Sequence, residues 1–462
     1  MSGGSWVSNP SLVKKEVFSF FRSRFKEECT NRPSISFSNL LKISSTDASW
    51  LESPFSKEEI KEAVFGCGDD RAPGPDGFNF RFFKFFWDLF EEDFLRVLSD
   101  FHGSGSISTG CGSSFITLVP KKKDPQSLAD YRPISLVGVI NKVISKILAN
   151  RLKIVLQSVI SNSQSAFLGN RFILDGPLII NEVCSWLKRS KKKALMLKID
   201  FEKAYDNVSW SFVLDVMSQM GFGPRWCSWI QGVLSSARAS VLVNGAPTFE
   251  FGWSKGMRQG DPISPFLFLV VMEALSCLIN KAVEVGMFSG IRLPEGGPLL
   301  SHLFFADDAL VIGEWHEENV INMVRLLRCF HVCSGLKINL EKSGLFGVGV
   351  EASEVGQMAG VVGCRAESFP FKYLGLKVGA NMNRVSNWRP IFDIFESRLA
   401  LWKSTLLSFG GRITLIRSVL ESLPSFYFSL YRAPKQVVAD LEKLMRGFWG
   451  GGGRVISEKH TG

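Results

Sequence analysis

Apolar and polar positions along this chain alternate between two periods. Apolar residues at Val13, Val17, Phe21 and Phe25 keep helical spacing and predict a helix over residues 12–28. A Ser/Asn/Pro-rich stretch follows, and the capping box from Ser56 to Glu59 opens a short helix that ends in the Gly/Pro-rich loop at 66–77. The same period predicts helices over 80–101, 140–159, 209–220, 266–284 and 317–334, the last stopped by Gly335. Amphipathic helices interrupted at Gly410-Gly411 and Pro424 fill 388–449. Strand patterns occupy the gaps. Residues 115–120 and 131–134 read as a hairpin with Lys121, Lys122, Lys123 and Asp124 at its tip, and Asn244-Gly245 marks a second hairpin. The run LMLKID reads as a buried strand ending at Asp200, and LLSHLFFADDALVIG as a hairpin turning at Asp307-Asp308.

Those last two patterns carry the candidate chemistry. Asp200, Asp307 and Asp308 sit in apolar runs with no cation beside them in sequence, the usual setting of carboxylates that hold metal. Taken singly, each also suits a turn or a helix cap. Two strand ends presenting three carboxylates suit Mg²⁺, and two such ions ~3.5–4 Å apart clamp the attacking and leaving oxygens of a phosphoryl transfer.

Composition narrows the partners. The chain has 462 residues, 45% of them hydrophobic, enough for about three domains or subdomains. Its net charge of +10 favours a polyanion, or an anionic membrane surface. Hydropathy argues against a membrane span, because the best apolar stretch, residues 265–279, is short and contains Glu273. The polar opening residues do not read as a signal peptide. Nine cysteines without CxxC pairs predict reduced thiols in an intracellular compartment, and Cys329, His331 and Cys333 read as packing, not a zinc site.

FADD and LKIDFEKAYD flank GMRQGDPISPFLF, with LVPKKKD, YRPISL, LKINLEKS and FKYLG in order around them. Over residues 11–449 the chain resembles the reverse transcriptases of LINE-type (non-LTR) retrotransposons in the form found in plant genomes. The resemblance implies an α+β right-hand polymerase whose antiparallel palm sheet carries the catalytic aspartates. The expected division is a lead-in segment at 1–55, fingers at 56–193, a palm at 194–380, thumb-like helices at 381–449 and a Gly-rich tail at 450–462. Relatives carry an endonuclease before this region and a Cys/His-rich segment after it, so the chain is expected to be a central module. An RNA-directed DNA polymerase is implied, adding dNTPs to a primer 3′-hydroxyl with two Mg²⁺, or Mn²⁺ as substitute. The alternative is a truncated fragment that binds RNA or duplex without polymerising.

Residue by residue, the resemblance makes Asp200, Asp307 and Asp308 catalytic and adds the Phe201 carbonyl to the metal ligands. Nucleotide contacts are expected at Arg132, at Lys121 or Lys122, and at Gln259, Gly260 and Lys342. Tyr205 would exclude a 2′-hydroxyl by steric clash. Phe371, Tyr373, Leu374 and Gly375 resemble the primer grip, Arg171 and Arg258 are expected on the template side with Arg258 helping to position the loop around Gln259, and Asp206 is expected as a helix cap. Arg398, Lys403, Arg412 and Arg417 are candidate duplex contacts. RNA template, DNA primer or RNA–DNA duplex, and dNTPs are the expected partners, in a nuclear or cytoplasmic ribonucleoprotein.

Overall fold

The computed structural model describes residues 7–29, 31–294, 296–402 and 407–450, so Lys403 and nearly all of the expected tail lie outside the described residues. Two compact units emerge, one from Met1–Phe172 with Lys193–Glu367, the other from Ile173–Lys192 with Ser368–Gly462. The fold is mixed α+β, as expected. Helix Asp175–Arg189, expected with the fingers, and the hairpin at 371–378, expected with the palm, both group with the C-terminal helices.

The first unit is built around helix Ser264–Glu284, which carries the residues Leu267 to Leu275 entirely in the core. Its 21 residues are long and apolar enough to cross a membrane, which corrects the shorter sequence estimate. Its most apolar window is two-thirds buried inside the protein (67%), so the apolar surface packs against protein. The expected helix at 80–101 is divided into Phe80–Phe85 and Trp87–Ser104, because Phe86 leaves helical geometry (φ −103°, ψ 30°). Helix Pro10–Arg24 buries Val17 and Phe21 in a cluster with Ile116, Val241, Phe251 and Trp253.

Two five-stranded sheets position the candidate residues. In one, Ala194–Ile199 lies at the centre, antiparallel to Asp308–Glu314 on one side and to Gly344–Val348 on the other. This sheet is not wholly antiparallel, since Gly344–Val348 pairs in parallel with Arg365–Glu367 at its edge. In the other, the basic hairpin Ser113–Pro120 and Tyr131–Val137 pairs in parallel with Arg238–Val243, which turns back at Asn244-Gly245. Both turn residues have positive φ (51° and 80°), the conformation that Asn-Gly favours.

Candidate active site

The acidic residues meet where two strands end. Ala309 pairs with Ile199, and the same register carried one step further sets Asp308 opposite Asp200. Side chains directly opposed in this way lie about 5 Å apart at Cβ. Asp307 occupies the turn between Phe305 and Asp308, after Ala306, whose φ of 53° is left-handed. A non-glycine residue there costs about 1–2 kcal/mol, so the turn needs external support. Gln164 supplies it. Its Oε1 accepts from Ala306 N at 2.9 Å and from Ala166 N at 3.1 Å. Ser165 N donates to Phe304 O (3.0 Å) and Phe304 N to Ser163 O (2.7 Å), lashing the loop to the hairpin. Gln164 stands in the sequence as one polar residue of a loop, and no periodicity singles it out.

Burial shapes the electrostatics of the pair. Desolvation raises the Asp307 carboxyl, and Asp308 and Asp200 raise it further, while a backbone hydrogen bond and the Arg132 charge act the other way. Desolvation likewise raises Asp308, against the pull of Lys198 and with a further push from Asp200. Mutual repulsion in a desolvated corner is what a bound cation relieves. Among the described residues no three His, Cys, Asp or Glu side chains converge into a cluster able by itself to hold a metal ion. The aspartates nonetheless fit Mg²⁺, a hard ion that takes one or two carboxylates and fills its octahedron with waters and substrate phosphates. Asp200 itself is anchored through its backbone: its N–H donates to Ser343 Oγ at 3.1 Å and its carbonyl accepts from Asn339 N at 2.7 Å. Phe201, buried, bridges Ile338 in the same segment.

Cations gather beside these carboxylates. Burial lowers the Lys121 ammonium, and Arg24, Lys342 and Arg132 lower it further, while Asp206 acts the other way, so all of these charges share one neighbourhood. Lys121 Nζ donates to Ala129 O at 3.0 Å. Lys122 instead pairs with Asp130 at 3.0 Å, and this ammonium, first among several donors, holds the Asp130 carboxyl at about 2. Of the two lysines left open by sequence, Lys121 is the one among the site's cations. Arg132, opposite Val119 in the hairpin, and Lys342 are both exposed.

Tyr205 stacks on Phe268 with ring centroids 4.7 Å apart and an interplanar angle of 13°. Burial raises its hydroxyl pKa and the Asp307 charge raises it further, so the phenol stays neutral near the acidic turn. Loop 256–261 is tied to the same segment, Met257 N donating to Tyr205 O (2.7 Å) and Gly256 N to Val208 O (2.8 Å). Gly256 has φ 81°, and a Cβ there would sit 2.5 Å from Asp206 O, so backbone contact requires glycine. Gly260 has φ 105° and lies against Ser135 O. Ser135 N donates to Gln259 O at 2.8 Å, which joins this loop to the basic hairpin.

Two residues stand elsewhere than expected, and a third takes the loop-positioning role expected of it. Asp206 caps no helix: Ser209 is the N-cap position of Trp210–Gln219, and the buried Asp206 carboxylate takes Arg24 and Gln259. Arg171, expected on the template side, is engaged by backbone carbonyls. Its guanidinium donates to Ile160 O, Ser161 O and Gln164 O at 2.6–2.7 Å, satisfying carbonyls at the end of helix Val139–Val159. Arg258 is buried, donates to Gly112 O and Ser236 Oγ, and lies 3.6 Å from Asp261, so it holds the loop in place.

In the second unit, Phe371–Tyr373 and Leu376–Val378 form the expected hairpin, with Leu374 (φ 47°) and Gly375 (φ 87°) as its two-residue turn. Phe371 and Tyr373 are buried, and Tyr427 OH donates to Gly375 O at 3.1 Å. The turn, not the two aromatic rings, is the surface this hairpin offers. Arg398 and Arg417 are exposed, whereas Arg412 donates to Trp449 O.

Comparison with known proteins agrees with this geometry. The profile of the reverse transcriptase (RNA-dependent DNA polymerase) family matches residues 119–378, more than half of the chain. A Transposon TX1 149 kDa protein of Xenopus laevis is 26% identical over 454 residues, covering 96% of this chain and 34% of the relative. A Retrovirus-related Pol polyprotein from a type-1 retrotransposable element R2 of Popillia japonica is 27% identical over 295 residues, 63% of this chain and 39% of its own length. A mitochondrial protein of Arabidopsis thaliana is 48% identical over 67 residues, 14% of this chain and 55% of that protein. The chain thus spans little more than a third of the two transposon relatives.

Proposed function

This chain belongs to the reverse transcriptase family, and from that premise we propose that it is the polymerase segment of a non-LTR retrotransposon protein, extending a primer 3′-hydroxyl with dNTPs on an RNA template. One observation carries the reading: Asp200 and Asp308 face each other at two strand ends, Asp307 turns beside them, and Lys121, Arg132 and Lys342 collect nearby. The finer reading of a plant element rests on the short Arabidopsis match.

In this reading Asp200, Asp307 and Asp308, with the Phe201 carbonyl, hold two Mg²⁺ ions, for which Mn²⁺ substitutes. Bound there, the ions would lower the pKa of the attacking hydroxyl and neutralise charge on the phosphates. Lys121, Arg132 and Lys342 bind the triphosphate, Arg through its planar fork and Lys as point charges. Lys342 also protonates the leaving pyrophosphate, assistance worth ~10²–10⁴ in rate. Tyr205, fixed by its stack on Phe268, closes the space a 2′-hydroxyl would need. Gln259 and Gly260 lie against the incoming base, and the Leu374-Gly375 turn steadies the primer end. The labels fingers, palm and thumb for 56–193, 194–380 and 381–449 belong to the same reading. So does an intracellular ribonucleoprotein setting, which suits nine free thiols.

Primer extension on an RNA template, with purified protein, Mg²⁺ and dNTPs, tests the proposal. Extension that depends on the divalent ion supports it. Template binding with no extension under any divalent ion would favour the non-polymerising fragment.

A further inference from the structure

Helix Pro10–Arg24 lies outside the residues matched by the family profile, yet its last residue reaches Asp206, beside Tyr205 and loop 256–261. Arg24 is buried, its side chain 4% exposed, and its Nε donates to Asp206 Oδ2 at 2.8 Å, with Nη2 on the same oxygen. Asp206 is 0% exposed, and its other oxygen accepts from Gln259 Nε2 at 2.8 Å. A carboxylate only accepts, so the pairing fixes which end of the Gln259 amide faces inward and turns Oε1 away from Asp206.

The neighbouring bonds tie the same parts together. Phe25 stacks on Trp253 at 3.7 Å, Ser254 N donates to Phe25 O at 3.0 Å, and Glu27 N donates to Ser254 Oγ at 2.7 Å. Loop 256–261 is therefore gripped from its N-terminal side by the end of the first helix. From beneath, it is gripped by Tyr205, Asp206 and Val208. Arg24 Nη1 is buried without a partner among the described residues, and the charges of Lys121, Lys203 and Arg24 all act around Asp206. A cation pressed among other cations, with one donor idle, is held there by the carboxylate and contributes through it.

We propose that Arg24 is a positioning residue for nucleotide addition, acting through Asp206 to set the orientation of Gln259 and the stiffness of loop 256–261. This rests on the polymerase reading of the site. It makes the first helix a working part of the polymerase, and the nucleotide loop is correctly formed only when that helix is docked.

Arg24→Lys is the test. It leaves Asp206 a positive partner but removes the planar fork that donates two bonds at once. In single-nucleotide addition, KM for dNTP should rise about tenfold while kcat and RNA binding stay within about twofold. In a Gln259→Ala background the same substitution should change KM by less than about twofold, because the group it acts through is gone. Hydrogen exchange at residues 256–261, measured without substrate, should speed up while the buried turns of helix Pro10–Arg24 keep their protection. Should Arg24→Lys not fold, Asp206→Asn carries the same three measurements. Equal KM effects in both backgrounds, an unchanged KM, or unchanged exchange at 256–261 would overturn the proposal. Absence of extension by the wild-type protein would instead overturn the polymerase reading, and the exchange measurement would still decide whether Arg24 sets the loop.

Discussion

Glu273 is a carboxyl in the middle of an apolar helix, 3% exposed, and burial pushes it up to about 7 against the partial relief of Ser161 and Arg171. Both hydrogen bonds it accepts, from Ser161 N (3.0 Å) and Ser161 Oγ (2.9 Å), go to Oε2. Glu273→Gln keeps a carbonyl oxygen for those donors and removes the ionisation. A carboxyl whose folded pKa lies above its ordinary 4.5 contributes stability that is complete below pH 4.5 and is lost as pH rises through 7. A rise from 4.5 to about 7, at 1.36 kcal/mol per pKa unit, amounts to about 3 kcal/mol. His302, buried and held down at about 3 by desolvation, acts in the opposite direction, weakening the fold as pH falls below its ordinary 6.5. Since it is present in both proteins, its effect cancels in the comparison. Denaturant unfolding of both proteins from pH 4.5 to 8 should show the variant gaining about 3 kcal/mol over wild type by pH 7 and little more above it. A difference that does not vary with pH would refute the argument and make Glu273 an ionised partner of Arg171. The outcome bears on the site, because Ser161 opens the loop whose Gln164 supports Ala306.

Asp307→Asn or Asp200→Asn should lower primer extension by several orders of magnitude while RNA binding, read by filter retention, stays within about threefold. Wild-type extension by either variant removes the two-metal assignment. Tyr205→Ala should increase ribonucleotide use relative to deoxynucleotide, whereas Tyr205→Phe, which retains the stack on Phe268, should behave as wild type. If Tyr205 is only a core ring, its loss costs about 3–5 kcal/mol of stability and lowers use of both nucleotides equally. RNA–DNA duplex affinity should fall with salt at roughly −0.7 to −0.9 in log–log slope per neutralised phosphate, and a flat response would make the +10 charge a solvated surface.

What could be read from sequence was whatever local chemistry dictates. The Asn244-Gly245 turn, the Gly335 cap and the strand ending at Asp200 are set by residues within a few positions, and the structure places each where the pattern puts it. The site was legible as types of residue, but not as contacts. Gln164 and Ala306 are 142 positions apart, and Arg24 and Asp206 are 182 apart, so no window along the chain joins them. For the same reason Arg171 reads as a phosphate contact until the carbonyls that accept from it are seen. The edge strand Arg365–Glu367 is three residues long and exposed, too short to carry a period.

Helix Asp175–Arg189 has a consequence for synthesis. Its inward face, including Ile180, Val183 and Leu187, belongs to a unit whose other members begin at Ser368. Asn181 finds its partners 198 residues later at Gly379 and 250 later at Tyr431. At ~5–20 residues per second on the ribosome, that face waits roughly ten to fifty seconds for cover. A chain halted at Glu367 would carry the helix without the C-terminal members of its unit, so shortened versions of this polypeptide should need either the entire C-terminal unit or the removal of the helix to stay in solution.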